Sequence, residues 1–476
     1  MEGKKQHVVL FPFMGQGHIT PFLLLAELIH EYYPDYTITL VNTPLNIRNL
    51  QSSLPPGSKI NLKSLPFDAS SHGLPPDTEN TKAIPFHLFI NLFRASETLE
   101  PAFERLIAGI TEEDGIPPLC IIADNFFSWT LHIARKFGVF HSTFLTSGAY
   151  GSALLFSLWK YLPHRNAYSD EFSLPDFPEI RLHHTQLSNI LVVADGGDAW
   201  SVLLRRLNEL CTRSDAVLVN TVKEFEARGL SMLREQLQGP IFPVGPLLCT
   251  SASHSMGMDL SDWLDSQPSA SVLYVSFGSQ NTIRASQMLK LAMALEATSR
   301  PFIWVIRPPV GFDVRVQFKS EWLPEGFEDR MRGTKQGFIV HQWAPQVEIL
   351  SHPSTGAFLS HCGWNSVLES LVHGVPIIGW PLSAEQFYNS KFLMEEVGVC
   401  VEAARGNRES SEVKKEEVER AIEIVMDNEE IRRKAKETAR VLKSALKEEE
   451  NNTNVGSSLR GLKEFFQTAL SKRVVT

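Results

Sequence analysis

The sequence predicts an α/β protein with two doubly wound domains, each a mainly parallel sheet flanked by helices. Its 476 residues are too many for one ordinary core, and its 43% hydrophobic content is enough for two. Short apolar runs typical of buried strands alternate with amphipathic helical stretches, which is the pattern of βαβ units. The alternation starts at residue 7 and restarts at residue 272. Between them, the composition changes within residues 243–271, where VGPLLCTSASHSMGM is poor in charge and periodicity, and we expect an interdomain linker there.

The first half opens with a predicted strand at residues 7–13 and a Gly-Gln-Gly-His turn at residues 15–18. The next helix is expected to have Thr20 as its N-cap and Pro21 as its first residue. A Gly-x-Gly turn is shared with dinucleotide-binding folds, but Thr20 stands at the third glycine position, which disfavours a dehydrogenase. Further strands are predicted at residues 36–41, 60–65, 119–123, 142–145 and 215–220.

The second half repeats this pattern. Strands are predicted at residues 272–277, 302–306, 355–359 and 376–379. Gly278 and Ser279 follow the first of them and form either a plain turn or a phosphate-binding turn. Beyond residue 408 the chain is helical and charged, with i,i+4 pairs that indicate solvated faces. The last helix, residues 459–470, has an apolar face that needs a partner surface.

The charge balance points to a small-molecule partner. A net charge of −9 and a pI near 6.0 disfavour nucleic acid, since no basic stretch is dense enough to neutralise a phosphate backbone. Close to the N-terminus, the apolar run breaks at Pro12 and is too short for a secretory signal or a membrane span. We expect a cytoplasmic protein with no integral membrane segment.

The five cysteines are odd in number, widely spaced and lack a Cys-x-x-Cys pair, which argues against a disulfide framework and a zinc site. They are Cys120, Cys211, Cys249, Cys362 and Cys400. We expect free thiols in a reducing compartment.

His18 and Asp124 are the candidate acid-base pair. Each follows a predicted strand, and the carboxyl ends of parallel strands share one edge of a sheet, where such folds bind ligands. A structural histidine and a helix-capping aspartate are the simpler interpretations of each residue alone. In contact, however, the carboxylate would fix the imidazole tautomer and leave the other ring nitrogen to accept a proton.

Residues 343–386 carry an unusual set of polar residues at strand ends. His361 follows a predicted strand, and Gly363 permits a tight turn into a helix whose first N–H groups and dipole form an anion site. Ser366 lies at that helix start, and Glu369, one turn further, can accept from ribose hydroxyls. An ordinary N-cap accounts for Ser366 alone, not for the whole set. The set also includes Trp343, Trp364, Asn365, Glu385 and Gln386.

Aromatic residues in the first half suggest an apolar ligand-binding cleft, although core packing explains any one of them more simply. One group lies in the predicted helical stretch 84–106 and the other directly follows Asp124. They are Phe86, Phe89, Phe93, Phe126, Phe127 and Trp129.

Residues 343–386 closely resemble the signature box of plant UDP-dependent glycosyltransferases, from WAPQ through HCGWNS to the closing EQ. The segments around His18, Asp124 and residues 275–280 fit the same family, so the resemblance covers the whole chain. It implies a GT-B fold, in which two Rossmann-like domains face each other across a cleft. Residues 1–248 would bind the acceptor and 249–455 the UDP-sugar, while the helix in 456–476 would pack back on the N-terminal domain.

The resemblance also implies roles for single residues. Trp343 would stack on uracil, Glu369 would hold the ribose, and His361 with Asn365 and Ser366 would bind the phosphates. The donor-binding set is Ser279, Trp343, Ala344, Gln346, His361, Trp364, Asn365, Ser366, Glu369, Glu385, Gln386 and, from the facing domain, Thr146. The acceptor-binding set is Met14, Phe86, Phe89, Phe126 and Leu191.

The implied activity is an inverting transfer of glucose from UDP-glucose to a hydroxyl of a small lipophilic plant metabolite, such as a flavonoid, another phenolic or a terpenoid. His18, oriented by Asp124, would act as the base and give a β-glucoside. No metal and no cofactor are implied, since the UDP-sugar is a co-substrate, and a monomer is expected. Alternatives are another UDP-sugar, a sugar already on the acceptor, C-glycosylation, a non-catalytic UDP-sugar-binding protein, and a fold relative such as an epimerase or phosphorylase.

Overall fold

The computed structural model describes residues 6–55, 57–248, 256–313, 316–341, 343–448 and 455–475. Within these residues the chain divides into two compact units. The first unit is formed by residues 1–160, 194–248 and 444–476, and the second by residues 161–193 and 249–443.

Most strands are short runs of β-branched and aromatic residues that are buried on both faces, as parallel sheets require. The strands are β1 (His7–Phe11), β2 (Thr37–Asn42), β3 (Asn61–Ser64), β4 (Cys120–Asp124), β5 (Phe140–Leu145), β6 (Glu171–Ser173), β7 (Arg181–His183), β8 (Ala216–Val219), β9 (Ile241–Pro243), β10 (Val272–Ser276), β11 (Phe302–Val305), β12 (Gly337–Val340), β13 (Thr355–Ser360), β14 (Ile377–Gly379) and β15 (Cys400–Glu402).

Helices connect most of these strands. They are α1 (Gln16–Tyr32), α2 (Pro44–Ser53), α3 (Phe89–Glu97), α4 (Glu100–Asp114), α5 (Thr130–Phe137), α6 (Ala149–Tyr161), α7 (Asn189–Val193), α8 (Ala199–Thr212), α9 (Ala227–Gln236), α10 (Met258–Asp265), α11 (Ala285–Ala297), α12 (Phe327–Gly333), α13 (Gln346–Ser351), α14 (Trp364–Val372), α15 (Gln386–Phe392), α16 (Lys415–Asp427), α17 (Glu429–Ser444) and α18 (Ser457–Val475). Single helical turns lie at Asn125–Phe127 and Leu393–Val397, among others.

Each unit contains one parallel sheet. The sheet of the first unit has the order β3-β2-β1-β4-β5-β8-β9, and that of the second unit β12-β11-β10-β13-β14-β15. In both sheets the strand order reverses next to the first strand of the unit, β1 or β10. Open α/β sheets bind ligands at such switch points, beyond the carboxyl ends of the strands. The predicted pair of doubly wound sheets is confirmed.

Alternate side chains along the strands of the second sheet pack on its two opposite faces. Leu273 and Val275 of β10 pack with α11 and α16, whereas Val272 and Tyr274 pack with α10 and α13. Because successive strand side chains point to opposite faces, a run of apolar residues covers both layers of helices.

The last helix, α18, belongs to the core of the first unit. Its Phe465 is fully buried, with ring centroids 5.8 Å from Phe140 of β5 and 5.8 Å from Phe242 of β9. Phe466 lies 4.7 Å from Tyr33, just past the end of α1. The apolar face predicted for residues 459–470 therefore packs on this sheet.

We expect Phe465→Ala to lower the free energy of unfolding of the first unit by about 3–5 kcal/mol, because it leaves a cavity against two strands. Urea denaturation followed by circular dichroism measures the change. Gln467→Ala, on the exposed face of the same helix, is the matched control and should stay within about 0.5 kcal/mol of wild type. Equal effects of the two substitutions would contradict the packing role of α18.

One local prediction, the start of α1, is wrong. Helix α1 begins at Gln16 rather than at the predicted Pro21, and its N-cap is Gly15 rather than Thr20. The N–H groups of His18 and Ile19 both donate to the Gly15 carbonyl, at 2.9 Å each. Pro21 therefore lies inside the helix, where the buried apolar face of α1 outweighs the hydrogen bond that proline cannot make. The predicted linker 243–271 includes the division between the two units, which follows residue 248, and it also contains α10, whose Leu264 is fully buried.

No described helix combines the length and the apolar character that crossing a bilayer requires. Four of the cysteines are described, and each is a buried free thiol; Cys249 lies outside the described residues.

Candidate active site

His18 and Asp124 meet at one edge of the first sheet. The neighbouring strands β1 and β4 pair in register at Phe11 and Ala123, so Asp124 ends β4 beside the turn that leads from β1 into α1. His18 Nδ1 lies 2.8 Å from Asp124 Oδ2. The predicted contact between the two residues is therefore present.

Asp124 is held so that it can orient the imidazole. Its carboxylate is buried, and Oδ1 accepts a hydrogen bond from the Phe126 N–H at 3.0 Å, as the predicted cap of the turn Asn125–Phe127. With the proton on Nδ1 donated to Asp124, the lone pair of His18 lies on Nε2. The His18 side chain is 28% exposed and accessible from solvent. This pair can act as a general base with a stabilised imidazolium.

Thr146 lies beside His18 in the same unit. It follows β5, and its Oγ1 is 3.3 Å from His18 Nδ1. The loop that carries Thr146 leads into α6, whose first N–H groups, from Ala149 and Tyr150, donate to the buried Glu226 at 2.8 and 2.9 Å. Glu226 therefore anchors the segment that positions Thr146. The sugar contact implied for Thr146 stays a prediction.

An aromatic cluster surrounds His18. The Phe126 ring, in the predicted acceptor set, lies 5.3 Å from the imidazole, and the Phe13 ring lies 5.7 Å from it. Phe93 stacks on Phe13 at 4.5 Å and lies 5.3 Å from Trp200 of α8. Neither Phe13 nor Trp200 is in the predicted set, although the position of Phe13 beyond β1, next to His18, is a sequence signal for it.

The other predicted acceptor residues are placed less directly. Met14 is fully buried, and its carbonyl accepts from the Thr81 N–H at 3.1 Å. Phe89 is the half-buried first residue of α3, and Leu191 is fully buried in α7 of the second unit. The side chain of Phe86 lies outside the described residues. Acceptor contacts of these four residues stay predictions.

In the second unit, His361 occupies the turn between β13 and α14. A Cβ built on Gly278 would lie 2.6 Å from its Cε1, and one built on Gly363 would lie 2.4 Å from its Nε2, so both positions exclude a side chain. Gly278 also has a φ of +76°, which favours glycine. The imidazole is thus fixed between the two turns that the sequence singles out.

His361 is buried, and its Nδ1 has no hydrogen-bond partner among the described residues. Burial lowers the pKa of His361 to about 4, and the nearby Arg307 guanidinium adds to the shift. The ring is therefore neutral at physiological pH, with one nitrogen that can donate to an oxygen anion. Next to it, the nine-residue helix α14 begins at Trp364, as predicted, with Gly363 as its N-cap.

Gln346, the first residue of α13, joins three elements. Its Nε2 donates to Ser366 Oγ at 3.0 Å and to Glu369 Oε2 at 2.6 Å, both on α14. Its Oε1 accepts from the Tyr274 hydroxyl of β10 at 3.3 Å. Burial raises the pKa of the Glu369 carboxyl to about 7, against the opposing effect of the Gln346 hydrogen bond. Tyr274 lies inside an apolar strand, so the sequence pattern does not single it out.

Four other predicted donor residues lie in or next to the turns of the second unit and differ in their solvent exposure. Trp343 is 58% exposed, whereas Ala344 and Trp364 are buried. Gln386 begins α15, and its Oε1 accepts from the N–H groups of Leu382 and Ser383 at 3.1 and 2.9 Å, which fixes the turn before the helix. The exposed Trp343 offers a face for stacking, while the buried residues shape the surrounding turns.

The described part of the chain contains no group of three or more His, Cys, Asp or Glu side chains arranged to hold a metal ion. The candidate groups are divided between the two units. The first holds the His18–Asp124 pair with aromatic rings beside it, and the second holds the N-terminus of α14 beside the neutral His361 and the buried Glu369.

Comparison with known proteins identifies the family. The family model described as "UDP-glucoronosyl and UDP-glucosyl transferase" matches residues 232–445. UDP-glycosyltransferase 92A1 of Arabidopsis thaliana is 43% identical over 478 residues, 98% of either chain. Crocetin glucosyltransferase 3 of Crocus sativus is 48% identical over 442 residues, 89% of this chain and 91% of that protein. The crystal structure of Medicago truncatula UGT71G1 with UDP-glucose matches with a TM-score of 0.80 at 26% identity, covering 98% of either chain.

Identity at this level over nearly the whole chain is sufficient to assign the family, and the solved relatives share the GT-B fold of two Rossmann-like domains. Members of this family are enzymes that use a UDP-sugar and act on small metabolites. The chain therefore belongs to the plant family of UDP-dependent glycosyltransferases.

Proposed function

We propose that the enzyme transfers glucose from UDP-glucose to a hydroxyl of a small lipophilic acceptor and gives a β-glucoside with inversion. The observation that carries this proposal is the contact of 2.8 Å between His18 and the buried Asp124. The choice of glucose is supported by the closing Gln386, by the name of the Crocus relative and by the UDP-glucose bound to the Medicago protein.

On the acceptor side, His18 Nε2 removes the proton of the attacking hydroxyl. The oxygen forms a bond to the anomeric carbon while the bond from that carbon to the β-phosphate oxygen breaks, so its electron pair leaves with UDP. Asp124 stabilises the imidazolium that forms on His18. Attack from the face opposite UDP inverts the anomeric configuration.

On the donor side, each part of UDP-glucose has its own partners. Trp343 stacks on the uracil with Ala344 and Gln346 beside it, and Glu369 accepts from the ribose hydroxyls. The phosphates are bound by Ser279, His361, Asn365 and Ser366, and the sugar by Trp364, Glu385, Gln386 and Thr146. The neutral His361 and the N-terminus of α14 are suited to the negative charge that grows on the leaving diphosphate.

The aromatic cluster around His18 supports the proposed acceptor class. Phe126 and Phe13 offer ring faces and edges next to the base, which favour flat aromatic acceptors such as flavonoids and other phenolics over aliphatic terpenoids. Met14, Phe86, Phe89 and Leu191 complete the proposed acceptor set. We further propose a cytoplasmic monomer whose reaction needs neither a metal ion nor a cofactor.

An acceptor screen tests the proposed function. The protein is incubated with UDP-glucose, UDP-galactose or UDP-glucuronic acid and with a flavonoid, a simple phenol and a terpenoid alcohol, with and without EDTA. Mass spectrometry should detect a phenolic product heavier by one hexose, chiefly from UDP-glucose and equally with EDTA. Consumption of UDP-glucose without any glucosylated acceptor would overturn the proposal, and an isomerised sugar would indicate an epimerase.

The raised pKa of Glu369 predicts a pH-dependent donor affinity. Near pH 7 the free carboxyl is half protonated, because burial raises its pKa to about 7 and the nearby Glu348 adds to the shift. Ribose hydroxyls that donate to it favour the carboxylate, so binding releases a proton at lower pH. We expect the Kd of UDP-glucose at pH 6 to be about tenfold weaker than at pH 8 by calorimetry. In Glu369→Gln the affinity for UDP-glucose should be weak and independent of pH. A wild-type Kd that is the same at pH 6 and pH 8 would contradict ribose binding by Glu369.

A further inference from the structure

Arg307 lies beside the donor site without a role in the proposed reaction. It follows β11 by two residues, and its side chain is half-buried. One guanidinium nitrogen, Nη1, donates to the Ser279 carbonyl at 2.5 Å. Arg307 thus holds the turn after β10 from the neighbouring strand.

No carboxylate of the described residues forms an ion pair with Arg307. Other arginines of the same unit have acidic partners: Arg284 lies 3.8 Å from Glu409, and Arg300 lies 2.7 Å from Asp427. Burial lowers the pKa of the Arg307 guanidinium, which reflects the cost of removing a cation from water without a counter-ion. A half-buried cation with one neutral acceptor is suited to an anionic ligand.

The turn held by Arg307 contacts His361. Gly278, directly before Ser279, approaches the imidazole so closely that a Cβ there would lie 2.6 Å from the ring. The charge of Arg307 also acts on His361, since it contributes to the lowered pKa of the imidazole. His361 itself is only 8% exposed, and its Nδ1 has no partner among the described residues. A cation without an ion-pair partner among the described residues and a neutral histidine with an unpartnered Nδ1 therefore adjoin the same turn.

We infer that Arg307 is a positioning residue that places positive charge beside the diphosphate and favours the departure of UDP. This inference rests on the proposed function. Breaking the bond between the anomeric carbon and the β-phosphate oxygen leaves one more negative charge on the diphosphate, so a fixed cation stabilises the product side of that step more than the bound donor. By holding the Ser279 carbonyl, Arg307 also keeps the Gly278 turn against His361.

The inference predicts a charge-dependent change in affinity. At pH 8, free UDP carries one more negative charge on its diphosphate than UDP-glucose does. In Arg307→Gln the Kd of UDP should therefore weaken about tenfold, and that of UDP-glucose only about twofold, by calorimetry. The variant should also lose about tenfold or more in kcat while the KM for the acceptor stays unchanged.

Two further variants make the test decisive. Arg307→Lys keeps the charge and should retain the wild-type ratio of the two Kd values, even if its fold is less stable. Arg300→Gln removes an arginine that pairs with Asp427 and should leave both constants unchanged. If Arg307→Gln weakens UDP and UDP-glucose by the same factor, or neither of them, the inference is overturned. If the wild-type protein binds neither ligand, the donor site of the proposed function fails instead.

Discussion

Replacing His18 by alanine is expected to lower kcat by roughly 10²- to 10⁴-fold, while the Kd of UDP-glucose stays within about twofold of wild type. Turnover should fall because the His18 imidazole, which lies 2.8 Å from Asp124 and next to the aromatic cluster, is the proposed base. Donor affinity should persist because His18 belongs to the first unit. The proposed donor residues of the signature box all lie in the second unit. Initial rates with a phenolic acceptor and calorimetry with UDP-glucose measure the two quantities separately.

Asp124→Asn should lose less activity than His18→Ala, because the imidazole remains but its imidazolium is no longer stabilised by a carboxylate. His132→Ala is the matched control, since His132 is an exposed histidine on α5 of the same unit.

Turnover retained in His18→Ala at more than about a tenth of the wild-type rate would contradict the role of His18 as the base. A different side chain of the protein would then have to act as the general base.

Gly363→Ala is expected to have the largest effect on donor binding. A Cβ at this position would lie 2.4 Å from His361 Nε2, so either the imidazole or the start of α14 must move. Overpacking of this kind costs about 1–3 kcal/mol, which corresponds to a roughly 5- to 150-fold weaker Kd for UDP-glucose if the strain is expressed in the site. Calorimetry with UDP-glucose and a thermal melt of the same sample measure affinity and stability together.

Gly333→Ala provides the control for this prediction. Gly333 ends α12 in the same unit, and a Cβ there would meet nothing within 4 Å. The control should bind UDP-glucose as the wild type does. Wild-type affinity in Gly363→Ala, with an unchanged melting temperature, would show that the close approach of Gly363 to His361 is not needed for the donor site.

The main features of both candidate sites could be predicted from residue types and strand order. His18 and Asp124 each follow an apolar run, and parallel strands bring their carboxyl ends to one edge, so the contact follows from topology. The turn before α14 is equally local, because Gly363 and the polar residues after it define a helix start. Local sequence signals suffice where the chemistry lies at the end of a strand.

Contacts that depend on side-chain packing could not be predicted. Tyr274 reads as a core residue of β10, and only the fold brings its hydroxyl to Gln346. By residue type, Arg307 beyond β11 is expected to be a surface cation. Only the pairing of β10 with β11 places its guanidinium within hydrogen-bond distance of the Ser279 carbonyl. The sequence places the start of α1 too late because Thr20 and Pro21 give a strong local signal, whereas the helix begins at Gln16, after Gly15 as N-cap, through backbone hydrogen bonds that any residue can accept.

The configuration of the product tests the central claim most directly. The protein is incubated with UDP-glucose and a phenolic acceptor, and the glucoside is analysed by proton NMR of its anomeric centre. A single displacement at a hydroxyl activated by His18 predicts a β-glucoside formed together with one equivalent of UDP. An α-glucoside, or release of UDP without any glucoside, would contradict the account.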